Sequence, residues 1–137
     1  MYQKIYKVYC DETRTKLPRP VVFYANDGIS SVLEFHIKQQ GKDYEFTADD
    51  GVRLFIQDPT QVSGRDVFYM EQSDQALVEV LADKKGVVKI KLDVDMVANH
   101  GKNLEAFVEL YSLADENNSC RFQSFPIDIM PADRSGL

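Results

Sequence analysis

This sequence has no tryptophan, two cysteines and two histidines among 137 residues, and each scarcity closes off a class of function. Zinc normally recruits three or four His, Cys or carboxylate ligands at short spacing. No CxxC, HxH or HExxH pattern occurs, and His36 and His100 read as solvated surface residues. GxSxG, GxxxxGK[ST] and GxGxxG are also missing, so no nucleophile elbow or phosphate-cradling loop is signalled. No apolar run approaches the roughly 20 residues that a membrane-spanning helix needs. A basic excess is lacking too: 16 Lys and Arg face 22 Asp and Glu, and the net charge of −6 disfavours a nucleic-acid backbone as partner. The first residues, MYQKIYKVYCDETRTK, lack the apolar segment of a secretory signal, which predicts a cytosolic chain or a processed piece.

Cys10 and Cys120 lie near opposite ends of the chain. A bridge between them would close a loop of roughly 110 residues and stabilise by a few kcal/mol. Without a secretion signal, two separate thiols are the expectation. Carboxylates are plentiful, and Asp93-Val94-Asp95 begins like a calcium loop. Its sixth position is Ala98 where glycine is required, and its twelfth is Leu104 where a bidentate glutamate is required. A weak calcium site at Asp115-Glu116-Asn117-Asn118 competes with an ordinary polar turn. The expectation is no catalytic residue, no metal, no cofactor and no enzyme.

What the chain does have is alternation. An apolar content of 44% with 28% charged residues is that of a globular domain, and 137 residues suffice for one core. Val21, Phe23 and Ala25 share one face of a strand; Leu33, Phe35 and Ile37 share another, opposite Glu34, His36 and Lys38. Val52, Leu54 and Ile56 repeat the pattern, and strand-like runs follow at 66–72, 76–81 and 87–92. LEAFVELYSL and CRFQSFPIDI then flank a polar tip from Ala114 to Ser119, predicting a long closing hairpin. Pro126 predicts an edge or a bulge in the last strand. The inward phase also slips between Phe122 and Phe125, which places a bulge near Gln123–Ser124. One short helix is predicted with Asp93 as N-cap and Gly101 just past its end. The fold class is therefore all-β: an antiparallel β-sandwich of about eight strands with one short helix.

Residues 1–20 form an N-terminal arm or a first strand, 21–131 the sandwich, and 132–137 the start of a linker or tail. Tyr2, Ile5, Tyr6 and Tyr9 give the first segment an aromatic character, and Pro18 and Pro20 hold the following backbone extended. It either joins a sheet or packs on a neighbouring subunit. Phe55, Phe107 and Tyr111 are the aromatics that alternation turns outward, with Phe107 and Tyr111 beside Glu105 and Glu109. Such a stripe suits a protein partner at least as well as a sugar.

The order of these motifs carries a resemblance. A MYxxI-like start, then VVFYANDGISSVLEFHIKQQGKDYEFT, VRLFIQDP, VKIKLDVDMVANHGKNLEAFVELY and a closing SFPIDIMP resemble the N-terminal domain of the phage baseplate upper protein family, found in tailed phages and prophages of Gram-positive bacteria. The turn at Gln40-Gly41-Lys42-Asp43 lacks the proline common in that family, and no helical stem follows. The resemblance implies a virion structural component made in the host cytoplasm. It implies docking to the tail hub or distal tail protein, support of receptor-binding modules, and a homo-oligomer in the assembly, without nucleic-acid binding or membrane insertion. Contact residues are expected at Tyr2, Ile5, Tyr6, Tyr9, Phe107 and Tyr111. A carbohydrate-binding sandwich for host adhesion is the alternative, and an immunoglobulin-like spacer a third.

Overall fold

A computed structural model describes residues 4–12, 14–24, 31–59, 66–71, 78–81, 83–91 and 101–130, with the backbone alone at 31, 66–71 and 101–103. All regular structure among the described residues is β-strand, in two six-stranded sheets. The first sheet holds β1 (Lys4–Asp11), β2 (Arg14–Lys16), β4 (Ser31–Gln39), β5 (Lys42–Asp43), β8 (Val78–Val80) and β9 (Val87–Lys91). Its order is β2-β1-β4-β9-β8, with β5 paired to the end of β4. The second holds β3 (Val21–Tyr24), β6 (Asp50–Gln57), β7 (Asp66–Glu71), β10 (Gly101–Ser112), β11 (Ser119–Arg121) and β12 (Phe125–Met130). Its order is β3-β12-β10-β6-β7, with β11 paired to β10.

Each strand predicted from alternation is present, but the sheets are mixed, not antiparallel. β1 runs parallel to β4, from Lys4↔Ser31 to Asp11↔Lys38, and β12 runs parallel to β3, from Ile127↔Val21 to Met130↔Tyr24. Inward-outward alternation is identical in parallel and antiparallel strands, so it carries no information on direction. The segment at 4–11 is a strand of the sandwich, flanked on both sides by β2 and β4. The predicted helix falls on residues 92–100, outside the described residues, and Gly101 opens β10.

The core is filled from both sheets. Leu33, Phe35 and Ile37 of β4 face Leu54 and Ile56 of β6 and Ala106 and Val108 of β10, all at most 1% exposed. Aromatic pairs cross from sheet to sheet: Phe35 meets Phe125 at 6.0 Å, and Tyr6 meets Phe23 edge-on at 5.0 Å. A large-to-small substitution in such a core costs roughly 3–5 kcal/mol.

The closing hairpin contains the predicted bulge. β11 pairs with β10 as Glu109↔Arg121, whereas β12 pairs as Ala106↔Phe125, so one residue is gained between them. Phe122 and Phe125 both reach the core as a result, at 1% and 3% exposure. β12 is not an edge strand, because β3 and β10 flank it. Pro126 is tolerated because pairing with β3 begins one residue later, at Ile127. The turn before β9 needs a glycine: Gly86 has φ +74, and a Cβ there would strike the Ile37 carbonyl.

Candidate docking surface

Alternation divides the predicted N-terminal contact residues between two faces. Tyr6 points inward with Val8 and Cys10 and is 8% exposed. Its hydroxyl donates to the Val22 carbonyl at 2.9 Å, and the Arg19 guanidinium lies 4.3 Å from the ring centroid. Arg19 also donates to the Ile5 carbonyl at 2.8 Å, so Tyr6 is held by the fold and is not a free contact residue. Ile5 and Tyr9 share the outward face; Ile5 is half-buried and Tyr9 is 40% exposed. Tyr2 lies outside the described residues.

Tyr9 stacks on His36 at 4.9 Å. His36 Nε2 lies 2.7 Å from Glu34 Oε1, and Lys89 Nζ lies 3.9 Å from Glu34 Oε2. His36 is therefore not the solvated histidine the sequence suggests: its side chain is 25% exposed and has a carboxylate two residues earlier on the same strand face. His100 lies outside the described residues.

The outer face of the second sheet carries stacked rings, arginines and an ion pair. Phe107 and Tyr111 point outward, as alternation predicts, yet they are only 4% and 5% exposed. Phe107 stacks on Phe55 at 4.9 Å, and the Arg121 guanidinium sits 3.7 Å from its centroid. Tyr111 lies across its cross-strand partner Gly51, where a Cβ would collide with the ring, and Arg53 sits 4.3 Å from its centroid. Phe107 and Tyr111 are thus each covered by an arginine, which leaves neither as the bare ring that sugar stacking needs.

Glu109 occupies the middle of this face. Its cross-strand neighbours are Arg53 on β6 and Arg121 on β11. Arg53 takes the carboxylate, with Nε 2.8 Å from Oε1 and a second bond from Nη2 to the same oxygen. The two side chains are 14% and 13% exposed, so the pair is largely desolvated. Arg121 sits over the Phe107 ring, with no carboxylate at ion-pair distance among the described residues. Arg53 and Arg121 were not among the residues predicted from sequence, although Arg53 sits on the outward phase of β6.

Beside this face, β2 approaches the bulge between β11 and β12. Thr15 N donates to Gln123 Oε1 at 3.3 Å, and Thr15 Oγ1 donates to the Gln123 carbonyl at 2.6 Å, stitching the two sheets together. Arg14, Lys16, Arg121, Phe122 and Ser124 line a groove around that stitch.

Both cysteines are free thiols. Burial pushes the Cys10 thiol up from 9.0 to about 12, with the Thr15 hydroxyl pulling weakly the other way. Tyr44 rises from 10.0 to about 12, through burial and then its hydrogen bond to Asp50. Among the described residues no cluster of three or more His, Cys, Asp or Glu is placed to hold a metal, and no helix is long and apolar enough to cross a membrane. What the described surface presents is stacked rings, arginines over them and a hydrogen-bonded stitch between the sheets.

No protein-family model matches the chain, and no curated protein matches it. Among solved structures it is similar to the N-terminal domain of phage TP901-1 ORF48, at 11% identity, over 92% of this chain and 98% of that chain, with a TM-score of 0.59. At that identity the likeness is one of fold, so the chain shares its architecture with the N-terminal domain of a phage protein.

Proposed function

We propose that this chain is a non-enzymatic structural component of a phage tail or baseplate, a scaffold domain that docks on the tail hub or distal tail protein and positions receptor-binding modules. The observation that carries this reading is the fold likeness to a phage N-terminal domain across nearly the full length of both chains. The sequence resemblance to baseplate upper proteins points the same way. So does a surface whose aromatics and arginines are fixed for contact, since Tyr and Arg are enriched at protein interfaces. Tyr9, exposed on the outer face of the first sheet, is the best remaining candidate for a partner contact among the residues singled out from sequence. Phe107 and Tyr111, covered as they are, support the arginines above them and not a sugar.

The test is immunogold labelling of purified particles of a phage that encodes the chain. Label at the tail tip is the expected result. Particles free of the chain by mass spectrometry would sink the proposal.

A further inference from the structure

The groove between β2 and the bulge is basic in a protein of net charge −6. Arg14 and Lys16 stand on one wall and Arg121 on the other, and the Thr15–Gln123 hydrogen bonds cross between them. Among the described residues none of these three cations has a carboxylate within ion-pair distance. Glu109, the carboxylate next to Arg121, is spent on Arg53. The groove is a shallow depression open to solvent, with about 580 Å³ of space above it. Being open, it can receive side chains of a partner and not only an ion.

The complementary feature lies beside it. β11 is 3 residues long, about 10 Å, and leads from the groove straight to the hairpin tip. There Leu113 is 52% exposed, and Asp115 and Glu116 are exposed with no cation in ion-pair distance among the described residues. The tip is held in shape before any partner arrives. Asn118 N donates to the Asp115 carbonyl at 2.9 Å and Asn117 N to Asp115 Oδ1 at 3.1 Å. Asp49 anchors its base, accepting from Ser112 Oγ at 2.7 Å and from Ala114 N at 3.1 Å. Little ordering entropy remains to be lost on contact.

We propose that two copies of this chain associate by exchanging these features, the acidic tip Asp115–Glu116 of each entering the Arg14–Lys16–Arg121 groove of the other. Uncompensated charges of opposite sign, side by side on one molecule, make a patch complementary to itself, which a two-fold contact can use on both subunits. The contact goes beyond the docking role above, because it concerns copies of the chain meeting each other. It is read on purified protein, so its failure leaves the virion-labelling result unaffected.

The experiment is sedimentation velocity on the full chain at low salt and at 500 mM salt, with thermal melts to check folding. Dimerisation weakened at least tenfold by high salt is expected. Arg14→Glu, which lies away from Glu109, and the pair Asp115→Lys and Glu116→Lys should each abolish the homodimer. Arg121→Glu should act likewise, with Arg14→Glu as the variant that avoids setting a like charge opposite Glu109. Mixing the tip variant with the double variant Arg14→Glu and Lys16→Glu, whose groove then carries a net negative charge, should restore a heterodimer, since each tip then meets its opposite sign. A chain that stays monomeric at every concentration would overturn the proposal. So would a dimer indifferent to salt and to both charge reversals, or capture only by an acidic segment of a different protein.

Discussion

Arg53 and Arg121 flank the same carboxylate on neighbouring strands, yet they are two different kinds of residue. Arg53, in the middle of the sheet, owns Glu109, rests on Tyr111 and is largely withdrawn from water. Arg121, at the rim, covers Phe107 and keeps its charge in solvent. A cross-strand neighbour is therefore not a partner by default. Desolvation decides, because an arginine taken out of water without a counter-ion costs several kcal/mol, whereas a rim arginine costs nothing left unpaired.

Substitutions at the two sites sharpen that contrast. Glu109→Ala removes the carboxylate from a largely desolvated guanidinium and should cost roughly 3 kcal/mol in urea denaturation. Arg53→Ala should cost less, about 2 kcal/mol, because Glu109 has Arg121 as a second cation within reach; a cycle with Arg121→Ala would show the rescue as non-additivity. Arg121→Ala alone should cost at most about 1 kcal/mol, the loss of an exposed cation–ring contact. Equal losses for Arg53→Ala and Arg121→Ala would erase the distinction. Smallest of all, Lys85→Ala should leave the melting temperature unchanged, since its pair with Glu45 at 2.8 Å is fully exposed.

A pH series probes the interior in the same way. Cys10 is protonated in both folded and unfolded chains below about pH 9. Between pH 9 and about 12 only the unfolded chain ionises there, so stability should fall as pH rises through that window. Native alkylation at pH 8 should mark half-buried Cys120 and spare Cys10; equal labelling would show the β1–β2 edge to be open.

Strand positions, the turn at Gly41, and the bulge beside Pro126 were legible in the sequence, because each is a local rule of periodicity or backbone conformation. Strand direction was not, since a parallel β1–β4 pair shows the same alternation as an antiparallel one. Nor was the cover over Phe107 and Tyr111. Periodicity told which way those rings point, but the arginines that hide them come from β6 and β11, 50 or more residues away for Arg53 and across a hairpin for Arg121. The N-terminal aromatics show the same limit: alternation was already present in Ile5-Tyr6-Lys7-Val8-Tyr9, and only a sheet on both sides reveals that Tyr6 belongs to the core. Deleting residues 1–16 should accordingly unfold the domain, whereas a detachable arm predicts a folded monomer; circular dichroism separates the two.

The parallel pair of β3 and β12 joins Val21 to Ile127, more than a hundred residues apart. During synthesis β3 must wait for its partner until β12 has been made. Such pairing pays its loop-closure entropy before it is rewarded, so folding should take milliseconds to seconds. β12, which lies between β3 and β10, is the strand that joins the start of this sheet to its centre.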